Sequence, residues 1–448
     1  MVTTLVLIQL VLVLVCIFIG AKVGGIGMGI YGMVGTLILV FGFGLAPGAL
    51  PIDVMLIIVS VIVASAVLQS TGGLDYLVGQ AAKFLRHHPD HITFYGPLCC
   101  WLFCLVAGTA HTCYSLLPII SEIAQAKKIR PERPLSVSVI AASLGITGSP
   151  VSAATAAIIS ADILGGKGIE LGDVILVCVP ASFIAIVAAA FVQNHIGKEL
   201  AQDPVYLTKV KSGEIDPVAD EQNLHQAETH PNPQAKYAVW AFFLGVIAVV
   251  FFGFFPEFRP HYVDANGQLT AVSTNNMIEM IMMSDAALIL LVGKGSIQKT
   301  VSGNVFAAGM NAMVSIFGVA WMGDTFFKNN QDFFVNHFSG LIQSVPFLFA
   351  VVLFVMSIML FSQAATVRTI YPLGIMLGIS PLYLLAMFTA CNGYFFLPNY
   401  PTEVAAIGFD RTGSTRVGRY VVNHSFQVAG FITTVVSISV AFVIIHLL

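Results

Sequence analysis

The sequence predicts an all-α polytopic membrane protein built from two repeats of inverted topology. Hydrophobic residues make up 57% of the 448 residues, and charged residues only 10%. Many uncharged stretches reach or exceed the roughly 20 apolar residues that a helix needs to cross a bilayer. Lysine and arginine cluster in alternate loops, as the positive-inside rule predicts for a chain that crosses repeatedly. A soluble fold would have to bury almost the whole chain.

Composition excludes several other classes of protein. The net charge of −3 offers no basic surface for nucleic acid. The seven cysteines lie in apolar stretches and form no CxxC pair, so we expect free, buried thiols, no metal site and no cofactor. The first apolar stretch, Met1–Gly20, has no basic n-region, and the next charged residue is Lys22 on its far side. We therefore interpret it as an uncleaved span rather than a signal peptide.

The first half of the chain divides into five predicted segments. Its hairpin is long enough for about two crossings. The basic residues that follow it, beginning at Lys127, place its end on the side where it began. The next helix is interrupted at Ser149 and Pro150. The segments are a scaffold of three spans at 1–69, an amphipathic arm at 72–88, a re-entrant hairpin at 92–126, a broken helix at 134–164 and a final span at 173–194.

The second half repeats this order with opposite topology, because its hairpin enters from the other side. Local sequence supports the correspondence, since Ala110–Pro118 aligns with Ala364–Pro372. A cytoplasmic linker at 195–235 joins the halves. The segments that follow are a scaffold at 236–325, an arm at 328–340, a hairpin at 341–379, a broken helix at 381–409 and a span at 420–447.

This threading places nearly all of the 20 lysines and arginines on one side of the membrane. Lys167, Arg259 and Lys328 fall on the other side, and Arg368 lies within the membrane. Treating either hairpin as a single crossing would destroy the bias. The positive-inside rule therefore predicts that both termini lie on the outer side.

Inverted repeats with interrupted helices are the architecture of secondary transporters. Irregular backbone is tolerated within a bilayer only where protein or a water-filled cavity surrounds it, so two hairpin tips and two breaks predict one central site. Helix N-termini there suit an anion, because they offer free N–H groups and partial positive charge. The candidate substrate-binding residues are Thr109, His111, Thr112, Ser149, Ser152, Gln363, Thr366, Arg368, Asn399 and Thr402.

The same residues also have purely structural interpretations. Hydroxyl groups in membrane helices often bond their own backbone, and His111 can be a packed side chain rather than a proton relay. Arg368 either contacts a substrate carboxylate or pairs with Glu403 or Asp285. Glu403 is a candidate for coupling or for support of the site. The glycines of Gly25–Gly29 are interpreted as a helix-packing face rather than a nucleotide loop.

Six motifs carry a family resemblance. They are Gly72–Val78, Arg130–Leu135, Gly318–Thr325, Ser362–Thr366, Leu397–Thr402 and Phe409–Thr415. Together they resemble the anaerobic C4-dicarboxylate transporters of bacteria, nearly end to end. The resemblance implies that fumarate, succinate, malate and aspartate are moved by fumarate/succinate antiport or proton-coupled uptake. It also implies a role in anaerobic respiration in the bacterial inner membrane, with periplasmic termini.

A wider resemblance to the ion-transporter superfold implies a homodimer and an elevator-type transporter. Some members of the family regulate a membrane sensor kinase, which is therefore a candidate partner beside the dicarboxylates and the lipid bilayer. From the residues alone, two other functions remain open: a passive anion channel, and a Na⁺- or H⁺-coupled exchanger of another small anion. An enzyme is not expected, because the sequence shows no nucleophile–base pair at membrane depth.

Overall fold

The computed structural model describes residues 2–217, 233–263, 267–398, 400–418 and 423–447. Its first part contains α1 (Val2–Val23), α2 (Gly27–Leu37), α3 (Ile52–Ser70), α4 (Gly73–His87), α5 (Ile92–Ala107), α6 (Leu117–Ala126), α7 (Glu132–Gly148), α8 (Ala153–Ile158), α9 (Leu171–Gln193) and α10 (Pro204–Lys211). A 3₁₀ turn at Ala110–Ser115 separates α5 from α6, so the first hairpin consists of two helices.

The second part contains α11 (Ala235–Phe254), α12 (Thr274–Gly293), α13 (Ile297–Val301), α14 (Asn304–Asn329), α15 (Gln331–Ser344), α16 (Leu348–Leu360), α17 (Gln363–Met376), α18 (Pro381–Ala386), α19 (Pro401–Phe409) and α20 (Gln427–Leu447). A 3₁₀ segment at Phe388–Phe396 lies between α18 and α19. Two short antiparallel strands, β1 (His261–Val263) and β2 (Leu269–Ala271), form an exposed ribbon after α11.

Eight helices within the described residues are long and apolar enough to cross a membrane. They are α1, α3, α5, α9, α11, α12, α14 and α20. The shorter apolar helices include α2, which a π-helical turn extends to Gly42, and α16. The protein is therefore a polytopic helical membrane protein, as its composition predicts.

The two hairpins turn with the same backbone conformation. Gly108 ends α5 with φ +69°, and Phe361 ends α16 with φ +50°, both in the left-handed region. An extended residue follows each, and its hydroxyl oxygen accepts a hydrogen bond from a nearby backbone N–H. Thr109 accepts from His111 over 3.4 Å, and Ser362 accepts from Ala365 over 3.2 Å. These caps replace helical bonds that the turn removes.

The predicted helix breaks are also present in the backbone. α7 ends at Gly148, Ser149 is extended, and Ser152 caps α8 by accepting from the Thr155 N–H over 3.0 Å. In the second half, regular helix stops at the end of α18 and resumes only at Pro401. The first interruption is buried among helices, as is Phe388–Phe395 in the second, and such sites are where irregular backbone is tolerated in a membrane.

The helices that the sequence assigns to the scaffold pack on one another. α2 crosses α14, α3 contacts both α12 and α14, and α11 packs on α12. Gly29 and Gly32 of α2 lie directly against Val314 and Gly318 of α14, with no room for a side chain between the backbones. The interpretation of this glycine-rich stretch as a packing face is therefore confirmed at Gly29.

The hairpins, the broken helices, α9 and α20 form a second group, which we call the hairpin helices. α5 packs on α7, α7 on α9, and α9 on α20, while α16 packs on the 3₁₀ segment. The core of the first hairpin includes Cys100, Cys104 and Leu116, which are fully buried. α3 contacts α8 and α14 contacts α17, so these helices connect the scaffold and the hairpin helices.

Candidate substrate-binding site

A cavity of about 390 Å³ lies between the scaffold and the hairpin helices. Both hairpin tips and both helix breaks contribute to its wall: Gly108, Thr109, His111, Ser362, Gln363 and Ala364 come from the tips, and Val151, Ala153, Tyr400 and Pro401 come from the breaks. The opposite wall includes Ile58 and Val61 of α3 and Asn311 and Ser315 of α14. Segments more than 200 residues apart therefore meet at one cavity.

The wall of the cavity contains no lysine, arginine, aspartate or glutamate among the described residues. Its polar character comes from hydroxyl, amide and imidazole groups, including His111, whose ring stacks on Tyr114 at a centroid distance of 5.8 Å. The N-terminus of α17 also reaches the cavity through Gln363 and Ala364. That helix has 14 residues, so its end presents a partial positive charge to a bound anion.

A network of side-chain hydrogen bonds lies behind the wall. Asn392 Nδ2 donates to Thr147 Oγ1 over 2.9 Å, and Thr147 donates to Gln363 Oε1 over 3.3 Å. Gln363 Nε2 donates to the Ser143 carbonyl over 2.7 Å and also to Asn392 Oδ1. Tyr394 donates to Asn392 Oδ1 over 3.2 Å. The network joins the end of α7, the start of α17 and the 3₁₀ segment.

Two members of this network were not predicted from the sequence. Asn392 and Tyr394 stand in an apolar stretch, and the candidate site residues that the sequence predicts in the second broken helix, Asn399 and Thr402, come later in the chain. The available signal was the Asn392 amide itself, because a buried amide in a membrane segment must find partners. Gln363 was predicted, but both ends of its amide already bond to protein, so it positions the tip of the second hairpin.

Eight of the ten predicted site residues fall into three groups. Thr109, His111 and Gln363 line the cavity. Four predicted hydroxyls bond nearby backbone instead: Thr112 donates to the Thr109 carbonyl, Ser152 to the Ile146 carbonyl and Thr366 to the Ser362 carbonyl, and Ser149 accepts from the Val151 N–H. They shape the tips and breaks, and their contact with a substrate stays a prediction. Asn399 lies outside the described residues.

Glu403 stabilises the second break, and Thr402 lies beside it. Glu403 is buried, and its Oε2 accepts from the Tyr400 N–H over 3.3 Å, which caps α19. The hydroxyl of Thr402 is buried without a hydrogen-bond partner in the described structure, one residue after Pro401 in the cavity wall. A role of Glu403 in support of the site agrees with this geometry, and a role in coupling stays a prediction.

Arg368 is not part of the cavity wall. Its side chain is 5% exposed, and Nη1 donates to Asp162 Oδ1 over 2.7 Å and to Ser160 Oγ over 3.1 Å. The suggested pairing with Glu403 or Asp285 is therefore wrong, because the acidic partner comes from the turn after α8. The sequence did not single out Asp162, which follows a short helix and has no local pattern around it.

Outside the spans, ion pairs hold three loops together. Arg130, in the turn before α7, pairs with Glu132 and with Asp203, which caps α10. Glu132 in turn accepts from Ser425 Oγ over 2.6 Å, in the connection before α20. Burial alone would raise the pKa of Asp203, but hydrogen bonds from Arg130 and from two backbone N–H groups outweigh it and hold the pKa below its ordinary value.

A fold of this kind, with hairpins and broken helices around a central cavity, defines a membrane transporter. The fold is similar to that of MtrF from Neisseria gonorrhoeae, which is described as one of a class of antimetabolite efflux pumps. The two chains are 12% identical, with a TM-score of 0.53 over 90% of this chain and 83% of that chain. At this identity the similarity concerns the fold alone.

The chain belongs to the anaerobic C4-dicarboxylate membrane transporter family, whose model matches residues 5–448. It is 38% identical over 440 residues to the C4-dicarboxylate transporter DcuA of Wolinella succinogenes, covering 98% of this chain and 99% of the relative. It is 39% identical over 443 residues to DcuA of Helicobacter pylori, covering 97% and 98%. The resemblance seen in the six motifs is confirmed, and the chain is a transporter rather than an enzyme.

Proposed function

We propose that this protein transports C4-dicarboxylates across a bacterial inner membrane, with fumarate/succinate antiport as its main mode. Malate and aspartate are further substrates, and proton-coupled uptake is a second mode. Family membership supports the substrate class, because the curated relatives are C4-dicarboxylate transporters. The antiport mode and the four individual substrates are proposed from the family resemblance of the six motifs.

The observation that carries the proposal is the cavity where both tips and both breaks meet. A dicarboxylate that enters it exchanges water for oriented donors: the hydroxyl of Thr109, the imidazole of His111 and the N–H groups at the start of α17. Fixed donors in a site that excludes water stabilise an anion more strongly than the same groups in solvent.

We further propose an elevator motion of the hairpin helices against the scaffold. Several observations support it. The cavity lies at the boundary between the two groups, so sliding along that boundary would carry the site. The matching tips at Gly108 and Phe361 fit two inverted repeats. The arms α4 and α15 each lie between a scaffold segment and a hairpin. We expect the scaffold helices to form a homodimer interface.

Under the predicted orientation, we propose that this geometry is an inward-facing state. The cavity reaches Ala21, Gly24 and Gly25, next to Lys22 at the end of α1, on the predicted cytoplasmic side. Towards the other side, Gly323 of α14 packs against Thr369 of α17 and closes the boundary. Both termini would then be periplasmic.

Counterflow in proteoliposomes tests the proposal. Vesicles loaded with succinate should take up labelled external fumarate, and empty vesicles or vesicles loaded with a monocarboxylate should not. Uptake without any internal substrate and without saturation would indicate a passive anion channel. Uptake into empty vesicles that requires a Na⁺ gradient would indicate a coupled exchanger of another kind. Either of these two results would overturn the proposed antiport, whereas uptake driven by an H⁺ gradient belongs to the proposed second mode.

Binding provides an independent measurement of the substrate class. Fumarate, succinate, malate and aspartate should each raise the thermal unfolding temperature of the purified protein, because a ligand that binds only the folded state stabilises it by mass action. Acetate and citrate serve as mono- and tricarboxylate controls and should leave the temperature unchanged. Equal stabilisation by all of these acids would reject a dicarboxylate-specific site.

A further inference from the structure

We propose that Asp162 is an exchangeable counter-ion of Arg368, which a substrate carboxylate displaces during transport. The inference rests on the proposed transport of dicarboxylates, and it assigns a role to a residue that no motif singled out. It begins from an asymmetry within the ion pair. The Arg368 side chain is 5% exposed, whereas that of Asp162 is 50% exposed. Half of the aspartate side chain is not covered by protein, so it is free to move away from the pair, but the arginine charge stays buried.

A buried arginine whose partner leaves requires another anion. Removing one member of a buried pair leaves an uncompensated charge at high cost. Within a membrane the alternatives are few, and a transported dianion is one that the proposed function supplies. Displacement of Asp162 is therefore coupled to the arrival of a carboxylate.

The hydrogen bonding of Arg368 leaves room for that carboxylate. Asp162 bonds to Nη1 alone, through Oδ1. Nε is buried and has no hydrogen-bond partner in the part of the chain that the structure describes. A guanidinium fork binds a carboxylate best through two parallel N–H groups. An incoming carboxylate that also bonds Nε therefore gains a contact that Asp162 does not make.

The pair also lies next to the cavity. α8 and α17 pack side by side, and both begin at the cavity wall, with Ala153 and Ala364 respectively. Arg368 follows Ala364 by one helical turn and so shares its face of α17, about 6 Å further along. Asp162 comes shortly after the end of α8. The ion pair therefore lies one turn beyond the wall, within the length of an arginine side chain.

The test compares Asp162→Asn with a matched control. Glu170 pairs with Arg259 over 2.7 Å, and the exposures are 44% and 5%, nearly those of the first pair. Glu170→Gln therefore removes an equivalent charge away from the cavity. Succinate affinity is measured by thermal-shift titration of the purified full chain. Asp162→Asn should tighten the apparent Kd by about tenfold, a typical size for coupling between competing ligands, and Glu170→Gln should leave it unchanged.

Two further variants keep the result interpretable if Asp162→Asn folds poorly. Asp162→Glu preserves the competing charge and should keep the wild-type Kd. Arg368→Lys removes the two-pronged contact and should weaken succinate binding by tenfold or more. An unchanged or weaker Kd in Asp162→Asn, or in Asp162→Ala if that variant alone is stable, would overturn the proposal. If the wild-type protein bound no dicarboxylate at all, the proposed function itself would fail, which is a separate outcome.

Discussion

Asn392 Nδ2 donates a hydrogen bond to Thr147 Oγ1 over 2.9 Å, although 245 residues separate the two in the chain. The bond joins the last turn of α7 to the 3₁₀ segment of the second half, and Gln363 links both of them to the second hairpin. Three of the segments that surround the cavity are thus held in register by one set of amide and hydroxyl groups.

We expect Asn392→Leu to lower stability and transport together. The substitution keeps the volume but removes the donor to Thr147 Oγ1 and the oxygen that accepts from Gln363 and Tyr394. Each polar group left unsatisfied costs about 1–3 kcal/mol. Thermal unfolding in detergent measures the loss. Thr433→Val is a suitable control, because the Thr433 hydroxyl bonds only the carbonyls of its own helix. Equal effects of the two variants would show that the network has no special importance.

We expect Gly108→Ala to abolish transport. Gly108 has φ +69°, and a Cβ atom there would lie 2.5 Å from the Val151 carbonyl oxygen in the first break. The tip and the break would have to separate. Gly168→Ala is the matched control, since Gly168 has φ +87° but no atom near its Cβ position. That control should lose only roughly 1–2 kcal/mol of folding stability, which is the cost of an alanine in the left-handed conformation, and should keep its counterflow rate. Similar rates in both variants would contradict this prediction.

The Arg130–Asp203 pair should make the stability of the loops depend on pH. The pKa of Asp203 is lowered in the folded state. The stability that its carboxylate contributes is therefore fully present above the ordinary aspartate pKa of about 3.9 and is lost as the pH falls through the lowered value. Asp203→Asn should therefore be less stable than the wild type at pH 7, by on the order of 1 kcal/mol. The difference should shrink below about pH 4.

Thermal unfolding of both proteins between pH 3 and pH 7 measures that difference. A difference independent of pH would mean that the carboxylate charge of Asp203 is not what holds the loop.

We expect Gly32→Val to separate two scaffold helices. A Cβ atom at Gly32 would lie 2.6 Å from the backbone carbon of Gly318, and backbone cannot move aside as a flexible side chain can. The variant should unfold at a lower temperature and insert poorly. Gly408→Val in α19 is the control, because no atom lies within 4 Å of its Cβ position. A stable, active Gly32→Val would show that α2 and α14 can part without consequence.

The sequence predicted the order of the helices better than it predicted the site. Pro150 and the polar residues near it mark the first break, and the length of each hairpin predicts its two helices. Such signals are local, since a proline or a glycine acts on the backbone beside it. The charge bias added a global check on the threading, because each wrongly counted crossing reverses the side of every later loop.

The contacts of the site were less predictable, because they join residues that are far apart. Arg368 was recognised as a costly charge, but its partner Asp162 is 206 residues away and carries no distinguishing pattern. Asn392 was missed for the same reason. Thr366 and Ser152 were correctly located at a tip and a break, but their hydroxyls bond backbone, a choice that only the three-dimensional geometry decides.

Among the residues that the structure describes, the cavity wall carries no fixed charge, and this affects the energetics of transport. Any dianion that crosses alone carries its own two charges through the membrane potential, at about 2.3 kcal/mol per charge per 100 mV. Entry into a negative interior would then cost roughly 4.6 kcal/mol at 100 mV. A swap of one dianion for another moves no net charge and escapes that cost entirely. One-for-one exchange should therefore be insensitive to voltage, whereas net uptake should depend on voltage unless two monovalent cations accompany each dianion.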